Sequence, residues 1–219
     1  VYGTGDNLSS YARPYSMDGT GVDIVIQDSG LQVDHPEFND ANGVSRVQQI
    51  DWFSASGVTG SQSASHYGDT DGHGTHCGGT ATGLHFGWAS NARVYSVKVG
   101  GLEGSGDSGG ISINSCFDVI KGWHENKPVD PNTGYKRPTI VNASWGYSAS
   151  ISSGITSINY RGTTYSSGND SSFSSTPNSH MRDTYGFYPY YRFPSYRFPL
   201  RVASVDADVQ DCIDAGVHI

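Results

Sequence analysis

Gly21-Val22-Asp23-Ile24-Val25-Ile26-Gln27-Asp28-Ser29-Gly30 is the stretch that decides the fold. Val22, Ile24 and Ile26 alternate with Asp23, Val25 and Gln27, and both sets hold apolar residues. A strand of this kind belongs inside a parallel sheet covered on both faces. Asp28 then lies at the strand's carboxyl end, where open α/β sheets place their sites. Gly30 allows a sharp exit. Read alone, Asp-Ser-Gly is equally a turn with a capping aspartate.

A second stretch gives Asp28 something to do. Asp71-Gly72-His73-Gly74-Thr75-His76-Cys77-Gly78-Gly79 crowds a histidine with small residues, and from Gly79 onward the sequence reads as a helix of small side chains. Such a helix passes close to another backbone, and its opening turn holds His73 with the imidazole outward. A general base needs a near-neutral pKa and a fixed orientation, and its tautomer needs a partner. His73, His76, Cys77 and Asp71 also offer nitrogen, sulfur and oxygen ligands for zinc. The two histidines are only three residues apart and no His-Glu-x-x-His occurs, which argues against zinc hydrolysis.

Together the stretches resemble the subtilisin-like serine proteases, nearest the proteinase K branch. The resemblance rests on Asp28-Ser29-Gly30-Leu31, His35-Pro36-Glu37-Phe38 and Gly72-His73-Gly74-Thr75-His76-Cys77, and continues through Val94-Tyr95-Ser96-Val97-Lys98-Val99, Gly104-Ser105-Gly106 and Asn142-Ala143-Ser144-Trp145-Gly146. It implies that Asp28 and His73 are the aspartate and histidine of an Asp-His-Ser triad, in the chain order of that family. It also implies that Gly104, Ser105 and Gly106 on one side, and Ser144, Trp145 and Gly146 on the other, pair with an extended peptide or protein substrate. From composition alone, residues 100–106 read as a flexible loop and Trp145 as a packing residue.

The family's nucleophile lies in a Gly-Thr-Ser motif, and no such triplet occurs in the 219 residues. The expectation is one subtilisin-like catalytic domain over residues 1–219, α/β with a mostly parallel sheet flanked by helices. It is incomplete at the C-terminus, stopping before the oxyanion asparagine and the serine. A second chain or a missing C-terminal part would carry that serine, and the chain alone would be inactive. The alternative is an inactive fragment, or a peptide-binding or structural remnant. Gly168-Asn169-Asp170 mimics the oxyanion motif, but Thr163 to Ser167 makes a poor strand ahead of it.

Composition bounds the rest. At 219 residues the chain is long enough for one α/β domain. A net charge of -8 and a pI near 5.3 argue against a nucleic-acid partner, and no 18-residue apolar run crosses a membrane. Sparse charge with abundant Gly, Ser and Tyr suggests a secreted or extracellular protein. The count of three cysteines is odd. Cys116 and Cys212 could form a pair if their helices are neighbours, which the sequence does not decide, and Cys77 is expected as a buried thiol beside His73.

Further elements follow in order. Phe38 anchors a loop in the core and His35 is a turn residue. Arg46 to Phe53 alternates in part and predicts a strand. Gly68-Asp69-Thr70-Asp71 reads as charge compensation ahead of a helix or, with Glu37 and Asp40, as a structural calcium site. No cofactor is expected for catalysis. Arg93–Val99 predicts a second core strand, Ile111–Lys127 a core-facing helix, and Pro138–Ala143 a third buried strand.

Residues 147–203 form an aromatic-rich insertion in which Tyr-Arg-Phe-Pro occurs twice, fitting either a substrate-side wall or contact surface or an aromatic mini-core. Ile155 to Tyr165 predicts a hairpin turning at Arg161-Gly162. Beyond it, Ser204 predicts an N-cap, and Val205, Val209, Cys212 and Ile213 one apolar helix face. Gly216 stops that helix before a strand at 217–219.

Overall fold

The computed structural model describes residues 17–100, 109–151, 157–166, 188–189 and 196–219. Strand β1 is Asp23–Asp28, buried along its whole length as its two apolar faces require. It lies between β3 (Arg93–Gly100) and β5 (Thr139–Asn142), parallel to both. The register sets Asp28 opposite Lys98 and Ile24 opposite Val94 and Ile140. Short β2 (Val47–Gln48) and β4 (Ile111–Ser112) join β3, also in parallel. The result is the helix-flanked parallel sheet that the sequence predicts.

Helices cover both faces. Ile24, Ile26 and Val94 point to one side, where they pack with Leu31, Phe38 and Ala92 in one buried cluster, edged by Ala81 of helix α2 (His73–Thr82). Helix α3 (Ile113–Asn126) covers the other side with Cys116, Phe117, Ile120 and Trp123 at helical spacing. There Trp123 meets Tyr95 and Trp52 with ring centroids 4.6 and 5.3 Å apart.

Helix α2 starts earlier than the small-residue run suggests, because Asp69 and Asp71 supply its missing cap. Gly72 offers no side chain, but Asp69 accepts from the Thr75 and Gly72 amides and Asp71 from that of His73. Phe38 is fully buried and His35 caps a short turn by accepting from the Glu37 amide, both as expected.

Four expectations need correction. The predicted strand over 46–53 shrinks to Val47–Gln48, and residues 52–56 form helix α1 (Trp52–Ser56) instead. Asp51 accepts from the Ser54 amide at its start, left-handed Gly57 closes its end, and the Trp52 indole donates to the Ser96 carbonyl. Strand β5 is not buried on both faces: Thr139 and Val141 are covered, but Ile140 is 40% exposed. Beyond β5, the expected strand at 217–219 is a single parallel bridge between Ile140 and His218.

A further correction concerns helix α4 (Ala203–Asp214). Val205 and Cys212 are buried, but Ile213 is 47% exposed. Gly216, at φ 94°, ends the helix as expected. Helices α3 and α4 are neighbours, yet Cys116 and Cys212 are separate buried thiols. Each donates to a backbone carbonyl, Cys116 to Ile111 and Cys212 to Phe117. Burial pushes the Cys212 thiol up to about 12 and that of Cys116 still higher.

The chain divides into two compact units, residues 1–145 with 203–219, and residues 146–202. In the second, β7 (Ser157–Tyr160) and β8 (Thr163–Ser166) form an antiparallel hairpin. Arg161 and Gly162, both at positive φ, make its two-residue turn, as expected. The second Tyr-Arg-Phe-Pro copy is strand β10 (Tyr196–Pro199), antiparallel to β6 (Ser148–Ile151) and β9 (Tyr188–Pro189). The first copy, at 191–194, lies outside the described residues.

Candidate active site

Asp28 ends β1 and His73 opens α2, so the site is a junction between one strand and one helix. Their approach depends on missing side chains. A Cβ on Gly74 would run into the Gly30 carbonyl, and one on Gly78 would strike Leu31 and Phe38. Ser29 stitches the two elements together: its hydroxyl accepts from the Gly74 amide and donates to Asp69 Oδ1, each at 2.9 Å. Thr75 adds a second stitch by accepting from the Gln32 amide at 3.0 Å.

This closure brings His73 Nδ1 to 2.8 Å from Asp28 Oδ1. The same oxygen accepts from the Ser29 amide at 2.7 Å. Asp28 is 1% exposed and its side chain cannot turn away, whereas the His73 side chain is 52% exposed. Nδ1 therefore faces the protein. The hydrogen bond to Asp28, then its negative charge, raises the His73 pKa above the usual 6.5. Asp71 and Asp69 add smaller pulls in the same direction. An imidazole oriented through Nδ1 by a buried carboxylate is built to move a proton at its other nitrogen.

Cys77, one helical turn after His73, brings its Sγ to 3.7 Å from His73 Nδ1. It lies beside the histidine as expected, but it is half-buried, not buried. Burial leads in raising its thiol pKa, opposed by a hydrogen bond with Ser144. That bond puts Ser144 at the same junction. Ser144 also accepts from Asn142 Nδ2 at 2.9 Å. Trp145 is half-buried, and its indole donates to the Gln27 carbonyl at 3.0 Å, one residue before Asp28. Gly146 is exposed and begins the second unit. Gly104, Ser105 and Gly106 lie outside the described residues, as does Asn169.

In the Gly68–Asp71 loop Asp69 is half-buried and the other three residues are exposed. Both Asp69 oxygens accept hydrogen bonds from protein groups, and Glu37 pairs with His85 at 2.7 Å. Among the described residues, three metal-ligating side chains converge at Asp28, His73 and Cys77. His76 points elsewhere, into an open pocket of about 500 Å³ that His35, Phe38, Phe86 and Trp88 also line. Ser29 was missed in the sequence reading. Its signal was its place between the strand-end aspartate and a glycine, which forces its hydroxyl toward the incoming helix.

The profile of the subtilase family matches residues 19–206 of the chain. The chain belongs to the subtilase family. A cuticle-degrading serine protease of Orbilia oligospora is 30% identical over 140 residues, covering 61% of this chain and 30% of the relative. Subtilisin-like protease 2 of Pseudogymnoascus destructans is 31% identical over 155 residues, covering 71% and 34%. Proteinase R of Parengyodontium album is 28% identical over 162 residues, covering 74% and 36%, in keeping with the expected place near the proteinase K branch. The chain thus spans about a third of the length of the relatives it matches. A solved structure of a cold adapted subtilisin-like serine proteinase aligns over 92% of this subtilase chain and 45% of its own, with 19% identity and a TM-score of 0.47.

Proposed function

We propose that this subtilase chain supplies the aspartate and histidine of a serine endopeptidase. The observation that carries the reading is the 2.8 Å contact from His73 Nδ1 to the fixed carboxylate of Asp28. His73 Nε2 would take the proton of a serine hydroxyl as that oxygen attacks a peptide carbonyl. It would then return the proton to the leaving amine, and water would release the acyl-enzyme. Asp28 holds the ring and stabilises the imidazolium throughout. The serine is proposed to come from polypeptide outside these 219 residues.

The substrate is proposed to be an extended peptide pairing with Ser144, Trp145 and Gly146 on one side and Gly104, Ser105 and Gly106 on the other. Two observations support the reading for Ser144 and Trp145: the Ser144–Cys77 hydrogen bond and the Trp145–Gln27 anchor. Catalysis in this reading needs no cofactor. A structural calcium ion is proposed only as a stabiliser, checked by the effect of EDTA on Tm. The names of the cuticle-degrading relatives and the low charge content favour work outside the cell.

The test compares fluorophosphonate labelling and casein hydrolysis for this chain with those for a longer polypeptide containing a Gly-Thr-Ser motif. The longer form should label and cleave, and His73→Ala should abolish both. Cleavage that survives His73→Ala would overturn the reading. The second reading, peptide binding without turnover, would be upheld if both forms bind peptide and neither labels.

A further inference from the structure

At the amino ends of β1 and β5, away from the dyad, a second histidine is buried among charged groups. His124 belongs to α3 and is 9% exposed. Its Nδ1 lies 2.9 Å from the hydroxyl of Thr139, which is fully buried. Lys127 Nζ donates to that same hydroxyl at 2.6 Å and to Asp23 Oδ2 at 2.9 Å. An ammonium group only donates. The Thr139 oxygen therefore accepts from Lys127, and its one proton is left for His124. His124 Nδ1 is thus an acceptor, and the ring is neutral with its proton on Nε2.

The other side of the ring meets the chain where α4 ends. A Cβ added to Gly216 would lie 3.6 Å from His124 Nε2. Two residues on, the His218 amide donates to the Thr139 carbonyl at 3.0 Å, and the His218 carbonyl accepts from the Val141 amide at 2.7 Å. This isolated bridge ties residues 217–219 to β5. One imidazole therefore sits between the glycine that starts this segment and the threonine that receives it.

The surroundings of His124 oppose a positive charge. Burial leads in lowering its pKa, followed by Lys127 at the end of its own helix and Lys136 on the approach to β5. Glu125 and Asp23 pull the other way with smaller effect, and Asp23 is already held by Lys127 and Arg137. The end of α4 meets the ring at uncharged Gly216, and the His218 side chain is exposed. A proton on Nδ1 would turn that nitrogen into a donor. The Thr139 oxygen would then face two donors, and its own proton would lose its acceptor in a buried place.

We propose that His124 is an acid-sensitive latch on residues 216–218. Neutral, it accepts the Thr139 proton and seats Gly216. On taking a proton from solvent it loses the Thr139 bond, and the segment parts from β5. The depressed pKa sets the sense: the latch holds fully above 6.5 and weakens as pH falls below it. The Asp28–His73 pair runs the opposite way, since its stabilisation is full below 6.5. A local readout separates the two. The latch does not depend on the protease reading.

The test uses the 219-residue chain and heteronuclear NMR. In wild type at neutral pH, His124 should be the Nε2–H tautomer, and it should titrate below 6.5. Exchange protection of the His218 and Val141 amides, corrected for the intrinsic rate at each pH, should fall from about pH 7 to about pH 5. Amides at the centre of β1 should keep theirs. In His124→Gln, which has no group to titrate there, protection of the two amides should stay level. His218→Ala should retain the wild-type trend. An Nδ1–H tautomer, a His124 midpoint at or above 6.5, or level protection in wild type would overturn the proposal. So would an equal loss along β1, a fall that survives in His124→Gln, or one abolished by His218→Ala. The tautomer and the midpoint are read in wild type, so a variant that fails to fold does not shield the proposal.

Discussion

Strand β1 carries an aspartate at each end, and the two live differently. Asp23 and Asp28 are equally buried, at 2% and 1% exposure. Asp23 is closed by two basic side chains: Lys127 Nζ lies 2.9 Å from Oδ2 and Arg137 Nε 2.9 Å from Oδ1. Lys127 is further held by Thr139 and lies over the Trp123 ring. Both Asp23 oxygens are satisfied. Asp28 is given one imidazole, half exposed and titratable. The first arrangement fixes a structure; the second holds a proton that can be moved.

The strongest way to break this contrast is Asp23→Ala. It strands two largely buried cations and should destabilise the chain by about 3–5 kcal/mol in urea denaturation. A loss no greater than that of Asp28→Asn would show that the two ends are alike. Gly74→Ala comes next. A methyl group there meets the Gly30 backbone, which has no room to give, so the expected loss is about 1–3 kcal/mol, with the Asp28–His73 bond disturbed.

Asp28→Asn should cost the least stability, about 1 kcal/mol or less, since exposure of His73 screens the pair. Its effect should also depend on pH. A His73 pKa raised in the folded state means that the pair's stabilisation is full below 6.5 and is lost as pH rises through the folded value. The wild-type advantage over Asp28→Asn should therefore shrink on going from slightly acid to alkaline pH. An advantage that grows with pH would reverse the assigned shift.

Much of this was legible in the sequence, for reasons that can be named. Strand β1 announces itself by β-branched residues on both faces, and the His73 helix by glycines that serve no purpose on a free surface. Arg161-Gly162 specifies its hairpin turn through positive φ. Helix α1 was hidden because five residues are too few for a helical period, and Trp52 and Phe53 look strand-like. Its true signals were Asp51 and Gly57. Ile140 and Ile213 looked buried because periodicity gives the face of an element but not what lies opposite it. The state of Cys116 and Cys212 was left open by the sequence for a related reason: adjacent helices do not ensure that two thiols face each other. The substrate segment at 104–106 rests on resemblance alone, since it falls outside the described residues.

The central claim is that Asp28 orients and charges His73 in this chain. The most direct measurement is a proton NMR titration of His73 in wild type and in Asp28→Asn. The account predicts a wild-type midpoint above 6.5 and a low-field Nδ1 proton, with both lost in the variant. A His73 that titrates at or below 6.5, or equally in both proteins, would contradict it.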